Sequence, residues 1–163
     1  VMMSFGGPSK GSRDEALVSL AETALVGPNG SLVQQLRNER VVASEISMFY
    51  HRGLNGGAIF THATAFKGKE KEVREVILRE LEKLKSAVIR EPDFLALLVQ
   101  TITNSMVKQQ RGEYSVLELT RHILAGNPSD YVRRHLERIR SANRNDLMLL
   151  ARRYFVIQFQ PEL

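Results

Sequence analysis

Within the first half of the chain, the spacing of apolar residues changes from that of a helix to that of a strand, and this change constrains the fold most. A turn at Gly27–Gly30 leads into a short helix, and from Val42 the apolar residues alternate, which predicts a strand with Ser44 on its apolar face. The glycine-rich loop at 53–57 and the alternating residues 58–66 predict a second strand. Two strands joined by a short loop are most simply antiparallel, so we expect a hairpin.

A strand and a helix are predicted before the hairpin, and mainly helices are predicted after it. Before it, residues 1–5 predict a strand, and Ser12 with Glu15 forms a capping box at the start of a helix. After it, helices are predicted to begin near Glu70, Pro92, Ser115, Asn127 and Asn143, and a closing strand is predicted over Phe155–Phe159. The helix after Pro92 is expected to bury Phe94, Leu98, Ile102 and Met106. A hairpin followed by a block of helices predicts an α+β fold with two layers, an antiparallel sheet with helices packed on one face.

Length and composition limit the class of protein. A chain of 163 residues fits one domain, so we expect residues 1–163 to form a single domain. It begins with Val1 inside a predicted strand, and we therefore expect a fragment of a longer protein. Absence of cysteine excludes disulfides and thiolate metal sites, while leaving cytoplasm and periplasm open. The chain has no apolar run of about 18 residues, so no membrane span is predicted.

The net charge of +5 raises the question of a nucleic-acid partner. Nucleic-acid modules usually combine a basic patch with aromatic residues or a reading helix. Here the aromatic residues are not interleaved with the basic ones, so a solvated helix face is favoured and no nucleic-acid partner is expected. The densest basic region comprises Arg133, Arg134, Arg138, Arg140, Arg144, Arg152 and Arg153.

Candidate metal ligands and catalytic carboxylates are sparse. Neither H-E-x-x-H nor H-x-x-E-H occurs in the chain, so no zinc motif is present. His51 and His62 lie in neighbouring predicted strands and could approach each other, but two histidines without a third ligand make a weak metal site. Glu45 is expected to be half-buried in its strand. Pairing with Arg37 or Arg40 is the structural interpretation, and a catalytic role comes second.

The order of these segments resembles the C-terminal lobe, which lacks zinc, of insulinase/pitrilysin-type zinc metallopeptidases. The resemblance covers nearly the whole chain and depends on order and spacing rather than on one sharp motif. It is carried by Asp14, Leu25, Gly30-Ser31, Leu36-Arg37, Ser44, the strand Gly57–Thr64, the charged helix 70–85, and the ending from Ile139 through Asp146-Leu147 to Ala151-Arg-Arg-Tyr154-Phe155.

The resemblance implies an α+β lobe that forms part of the wall of a chamber. Zinc is then expected in the N-terminal lobe of the same protein and not in this chain. In active members this lobe carries an arginine and, seven residues later, a tyrosine that hold the substrate backbone. Arg37 matches the arginine, whereas Ser44 replaces the tyrosine and Val41 stands where glycine is usual.

Three hypotheses follow from these matches and departures. The chain is the substrate-holding or structural lobe of a working zinc metalloendopeptidase, not catalytic by itself, with Arg37 orienting peptide. Alternatively, it belongs to a non-catalytic family member that acts in peptide binding or subunit assembly, as a homodimer or heterodimer. The third hypothesis is an unrelated α+β interaction domain. Whether the intact protein is an enzyme stays open at this point.

Overall fold

A computed structural model describes residues 1–53, 55–110, 116, 120 and 130–156 of the chain. In chain order, these ranges contain β1 (Met2–Gly7), α1 (Arg13–Val26), α2 (Ser31–Val33, continued by a π-helical segment over Gln34–Glu39), β2 (Ala43–His51), β3 (Gly57–Ala65), α3 (Glu70–Ser86), α4 (Glu91–Gln110), α5 (Tyr131–Arg140) and α6 (Arg144–Tyr154). The α+β prediction is confirmed. The helix starts predicted at Ser115 and Asn127 lie outside the described residues.

The sheet has three strands in the order β1-β3-β2, and both strand pairs are antiparallel. Its side chains alternate between a covered face and an open face, as the period of two requires. Met3, Phe5, Met48 and Ile59 are buried on the covered face. Met2 and Phe49 are exposed on the open face, where the Phe49 ring stacks on Phe60 with 5.0 Å between centroids. The helices therefore pack on one face of the sheet, as predicted.

A β-bulge interrupts the alternation at the start of β2. Ala43 pairs with Ala65 and Glu45 pairs with Thr64, so Ser44 is an extra residue on its strand. The bulge buries Ala43 and exposes Ser44. The prediction that Ser44 lies on the apolar face is therefore wrong, because a uniform period of two cannot represent an inserted residue.

Helix α1 lies at the centre of the helical layer and packs against α4, α5 and α6. Residues from Ala16 to Val18, together with Leu20 and Ala21, are buried, so most of the helix circumference is covered. Helix α3 packs against α6, and its apolar face is buried at Val73, Val76, Ile77, Leu81 and Leu84. The described elements thus share one hydrophobic core.

A capping box forms at the predicted helix start Asn143, but the one predicted at Ser12 does not form. Asn143 and Asp146 form the reciprocal capping box at the start of α6, with the Asn143 N–H donating to Asp146 at 2.9 Å. The box predicted for Ser12 and Glu15 is wrong, because the Ser12 hydroxyl makes no cap bond and is buried without a partner in the described structure. Glu15 instead accepts from the N–H of Gly11 at 2.6 Å.

Neither Phe155 nor Val156 lies in a strand, so the predicted strand over Phe155–Phe159 is wrong at its start, and its remaining residues lie outside the described ranges. The Phe155 N–H donates to the carbonyl of Ala151 at the end of α6. The aromatic ring enters the core, where it meets Phe5 edge to face with 5.5 Å between centroids. Among the helices in the described ranges, none is long and apolar enough to cross a membrane.

Candidate functional site

The joint between α1 and β2 begins with a tight turn over residues 27–30, whose last residue must be glycine. The N–H of Gly27 donates to Thr23 at the end of α1, and the N–H of Gly30 donates to Gly27 at 2.8 Å. A Cβ atom at Gly30 would lie 2.5 Å from the carbonyl carbon and oxygen of Leu25. The turn therefore requires glycine for close backbone approach, and this explains the Gly-Pro-Asn-Gly sequence.

A π-helical segment follows this turn and carries Arg37. The N–H of Arg40 reaches back five residues to the carbonyl of Gln35 at 3.2 Å, and the N–H of Val42 donates to Leu36 at 2.9 Å. Leu32 and Leu36 are fully buried and anchor the segment to the core. Short π segments are uncommon and often occur at functional sites. Here the segment fixes the backbone on either side of Arg37.

The Arg37 side chain is exposed, whereas its polar neighbours are engaged. Arg40 pairs with Glu72 at 3.4 Å, and the Gln35 amide donates to Glu39 at 2.6 Å. Within the described residues, Arg37 has no ion pair or side-chain hydrogen bond. The suggested pairing of an arginine with Glu45 does not form, and Glu45 is exposed rather than half-buried. The joint thus presents one uncommitted guanidinium to solvent.

Ser44 does not act with Arg37 in the way the family tyrosine would. Its side chain is exposed at the bulge, and its hydroxyl donates to the carbonyl of Thr64 on the neighbouring strand at 3.4 Å. This bond ties the serine to its own hairpin. A serine is also several ångströms shorter than a tyrosine, so Ser44 cannot supply the long phenolic donor that the resemblance leads us to expect at this position.

Val41 adopts a backbone conformation that normally belongs to glycine. Its φ angle is +52°, and it is the one non-glycine residue with positive φ in the described ranges. A β-branched residue in this region is a strong outlier, because its Cβ atom crowds the backbone. The left-handed residue is needed to turn the chain from the π segment into β2. The expected family glycine at this position now has a conformational reason.

Replacing Val41 by glycine should raise the free energy of unfolding by about 1 kcal/mol, since relief of left-handed strain exceeds the entropy cost of glycine. The change is measured as the urea midpoint in equilibrium unfolding. Val41→Ala is the matched control, because alanine keeps the Cβ atom and most of the strain. Equal gains from both variants would contradict strain as the cause.

The described residues do not fit a zinc ion. His51 pairs with Ala58 and His62 with Ser47, so the two histidines are four positions apart along the hairpin, a separation of about 13 Å at the rise of a strand. The suggestion that they approach each other is therefore wrong. The described ranges contain no group of three or more histidine, aspartate or glutamate side chains that could hold a metal.

A buried polar cluster around Glu15 went unrecognised in the sequence. Glu15 is 1% exposed and accepts from Arg52 Nε at 2.8 Å and from the Tyr131 hydroxyl at 2.5 Å. Burial, followed by the Glu15 hydrogen bond and its negative charge, raises the pKa of Tyr131. Burial and the same charge raise the pKa of Tyr50 to about 12. The sequence held one signal of this cluster, since Glu15 directly precedes the apolar residues Ala16, Leu17 and Val18.

The Glu15 cluster fixes the end of β2 remote from the joint. The Tyr50 hydroxyl donates to Pro8 at 2.5 Å, and the N–H of Lys10 donates to the carbonyl of Gly53. Through these bonds and Arg52, the end of the hairpin is held against the start of α1. With both ends anchored, β2 is a firm support for the side chains at the joint.

The basic region noted in the sequence is largely engaged within the fold. Arg134 pairs with Asp130 at 2.6 Å, and Arg153 pairs with Asp14 at 2.6 Å. Arg138 donates to two backbone carbonyls in the segment before α1, each at 3.0 Å. Arg138 thus joins α5 to the segment before α1, and Arg153 joins α6 to α1, so these two arginines have a structural role.

Comparisons with known proteins address the family and the fold. Residues 1–97 match the family model described as the Peptidase M16 inactive domain. A search of curated proteins found no match. The inactive peptidase domain of a presumed zinc protease from Bordetella parapertussis is 22% identical with a TM-score of 0.76, and the match covers 95% of this chain and 85% of that one.

Two further solved structures share the fold within longer chains. A protease from Helicobacter pylori is 16% identical with a TM-score of 0.79, and the match covers 95% of this chain but 38% of that one. The periplasmic protease PqqL from Escherichia coli is 11% identical with a TM-score of 0.64, and the match covers 94% and 17% of the respective chains. At these identities the likeness shows the fold alone, while the family match covers more than half of the chain. The chain therefore belongs to the Peptidase M16 inactive domain family.

Proposed function

We propose that this chain is the peptide-holding lobe of a longer zinc-dependent metallopeptidase, whose zinc is bound by an N-terminal lobe of the same protein. Residues 1–163 then form one domain of that protein. The observation that carries the proposal is the exposed Arg37 guanidinium beside β2, which lies at one edge of the described sheet. A zinc ion in the partner lobe would supply the chemistry of hydrolysis, and this lobe would supply binding.

Arg37 is suited to holding a peptide backbone or a terminal carboxylate. A guanidinium presents five N–H donors in a fixed plane and stays charged at any physiological pH. An extended peptide could add to the edge of β2 through main-chain hydrogen bonds, while Arg37 donates to a carbonyl oxygen at one end. Since Leu36 and the π segment hold the backbone of Arg37 in place, less conformational entropy is lost on binding.

A second candidate is a lobe of a non-catalytic member that acts in peptide binding or subunit assembly. The replacement of the expected tyrosine by Ser44, whose hydroxyl bonds to Thr64, favours it. The two candidates differ in the parent protein. A zinc-binding H-x-x-E-H motif and peptide hydrolysis in the parent would support the first, and their absence in the parent and any partner chain would support the second.

The peptide-holding role is tested by titrating the ¹⁵N-labelled chain with a pool of unstructured ten-residue peptides. We expect amide shifts over the π segment and β2, and Arg37→Ala should weaken apparent binding about tenfold, because a charge-assisted hydrogen bond contributes about 1.5–3 kcal/mol. Arg37→Ala should change stability by less than about 0.5 kcal/mol.

Arg140→Ala is the matched control, because Arg140 is also exposed on a helix and lies on α5, away from the joint. Its apparent affinity should equal that of the unmodified chain. Equal weakening by both substitutions, or amide shifts confined to other elements, would contradict a peptide site at the joint.

A further inference from the structure

The joint carries exposed apolar side chains as well as the Arg37 guanidinium. Val41 is 60% exposed and Phe66 is 45% exposed, although the neighbouring Val42 is buried. The N–H of Val42 donates to the carbonyl of Leu36 at 2.9 Å, and the N–H of Phe66 donates to the carbonyl of Val42 at 2.9 Å. Because Arg37 follows Leu36 and Val41 precedes Val42, these two bonds place Arg37, Val41 and Phe66 beside one another at the start of β2.

Ion pairs hold the turn after β3 against the π segment. Glu72, in the first turn of α3, pairs with Arg40 of the joint at 3.4 Å and with Lys69 at 3.1 Å. The N–H of Lys69 donates to the carbonyl of Phe66 at 2.9 Å and closes the turn. The shared carboxylate therefore links the two segments, and Arg40 and Lys69 are both committed to it.

Two other cations lie at the same place without an anionic partner. Lys67 directly follows Phe66 and is exposed. Like Arg37, it forms no ion pair or side-chain hydrogen bond with any residue that the structure describes. Glu45, an exposed acid, lies four residues after Val41 and beyond the bulge. We call Arg37, Val41, Phe66 and Lys67 the corner site, which combines two unneutralised positive charges with exposed apolar surface.

We infer that the corner site binds the C-terminal residue of a peptide, with its free carboxylate on Arg37 and a bulky apolar side chain against Val41 and Phe66. This inference rests on the proposed peptide-holding function and specifies which end of the peptide and which class of residue are selected. Two unpaired cations favour a full negative charge over a neutral carbonyl, since charge-assisted hydrogen bonds are about twice as strong as neutral ones. A guanidinium also donates two parallel N–H bonds to the two oxygens of a carboxylate.

The strained backbone of Val41 supports a binding role for its side chain. Residues held in sparsely populated backbone conformations cluster at ligand sites. Since the Val41 side chain is largely exposed, packing in the core does not account for valine at a position with φ of +52°. The valine does supply apolar surface beside Arg37 that glycine would lack. Val41→Gly should therefore stabilise the fold and weaken binding of an apolar peptide end, two effects of opposite sign.

Calorimetric titration with acetylated tetrapeptides ending in leucine tests the carboxylate. The peptide with a free C-terminal acid should bind about tenfold more tightly than the same peptide with a C-terminal amide. Arg37→Ala should remove most of this preference for the acid, and Lys67→Ala should reduce it about threefold, because each removes one positive charge. Arg140→Ala is the control and should keep the full preference.

Exchange of the final leucine for glycine tests the apolar contact. The glycine-ended acid should bind about fivefold more weakly, because less apolar surface is buried. Phe66→Ala and Val41→Gly should each weaken binding of the leucine-ended acid about threefold and leave the glycine-ended acid unchanged. Phe49→Ala is the matched control, since Phe49 is also exposed on the hairpin, at 47%. It lies roughly 25 Å along β2 from Val41, whereas a tetrapeptide spans at most about 14 Å.

The possible results separate this inference from the proposed function. Equal binding of acid and amide, both weakened by Arg37→Ala, would overturn the selection of a C-terminus and leave the peptide-holding function in place. Equal effects of Phe66→Ala and Phe49→Ala would overturn the apolar contact. Hexanoate that binds as tightly as the leucine-ended acid would assign the corner site to small apolar acids and overturn peptide selection. Absence of binding by every tetrapeptide up to millimolar concentration would overturn the inference and the proposed function together.

Discussion

Replacing Glu15 by alanine should lower the free energy of unfolding by about 3 kcal/mol. The substitution removes the acceptor for Arg52, for the Tyr131 hydroxyl and for the Gly11 N–H together. Arg52 is partly exposed and can regain water, which places the expected loss at the lower end of the range for a broken buried pair. Urea unfolding followed by circular dichroism measures the change.

Two further variants separate the buried charge from helix effects. Glu15→Gln keeps an acceptor oxygen without the charge and should lose about half as much stability. Glu22→Ala is the matched control, because Glu22 lies on the same helix and pairs with Lys108 at 3.7 Å, with both side chains partly exposed. It should lose less than about 0.5 kcal/mol. A loss for Glu22→Ala as large as for Glu15→Ala would contradict a special role for the buried cluster.

Replacing Phe155 by alanine should lower the free energy of unfolding by about 3–5 kcal/mol, because it leaves a cavity in the core. The ring is 1% exposed and packs edge to face on Phe5, so it joins the end of α6 to the first strand. Besides the shift in the urea midpoint, amide exchange in β1 should become faster, since β1 loses its aromatic contact.

Phe66→Ala is the control for Phe155→Ala. Phe66 follows β3 and is 45% exposed, so its removal should cost less than about 1 kcal/mol. Phe155→Leu should lose less than Phe155→Ala, because leucine fills part of the volume. Similar losses for the alanine variants of Phe66 and Phe155 would contradict the placement of Phe155 in the core.

The hairpin and the helices beside it could be predicted from the sequence because each has a local signal. The alternation after Val42, the glycine-rich loop and the capping box at Asn143 all act within a few residues. The fold class follows from the order of these signals. The resemblance based on the same order led to the correct family, although no single motif in it is sharp.

The features that were missed depend on contacts between distant parts of the chain. The Glu15 cluster joins residues that are 37 and 116 positions apart. The bulge at Ser44 and the separation of His51 from His62 are set by strand register, which hydrophobic alternation does not determine. The inner face predicted for α4 is correct at Phe94 but wrong at Met106, which is 46% exposed. Apolar residues occur on two sides of this helix, so periodicity alone could not identify the buried side.

At the candidate site, the sequence identified the residues of interest but not their exposure, contacts or backbone conformation. Arg37 was singled out by resemblance, and the structure adds its exposure, its anchored backbone and the absence of a partner within the described residues. Val41 was noted as a departure from glycine, and its positive φ angle supplies the physical reason. The peptide-holding role of Arg37 stays a proposal that binding experiments must decide.

Calorimetric titration of the chain with the ten-residue peptide pool, in zinc-free buffer and again with equimolar zinc, tests the central claim most directly. The account predicts the same apparent affinity in both buffers, intact peptides after the titration, and about tenfold weaker binding by Arg37→Ala. Binding that requires zinc, or cleavage of the peptides by this chain, would contradict the assignment of the chain as the peptide-holding lobe that lacks the metal.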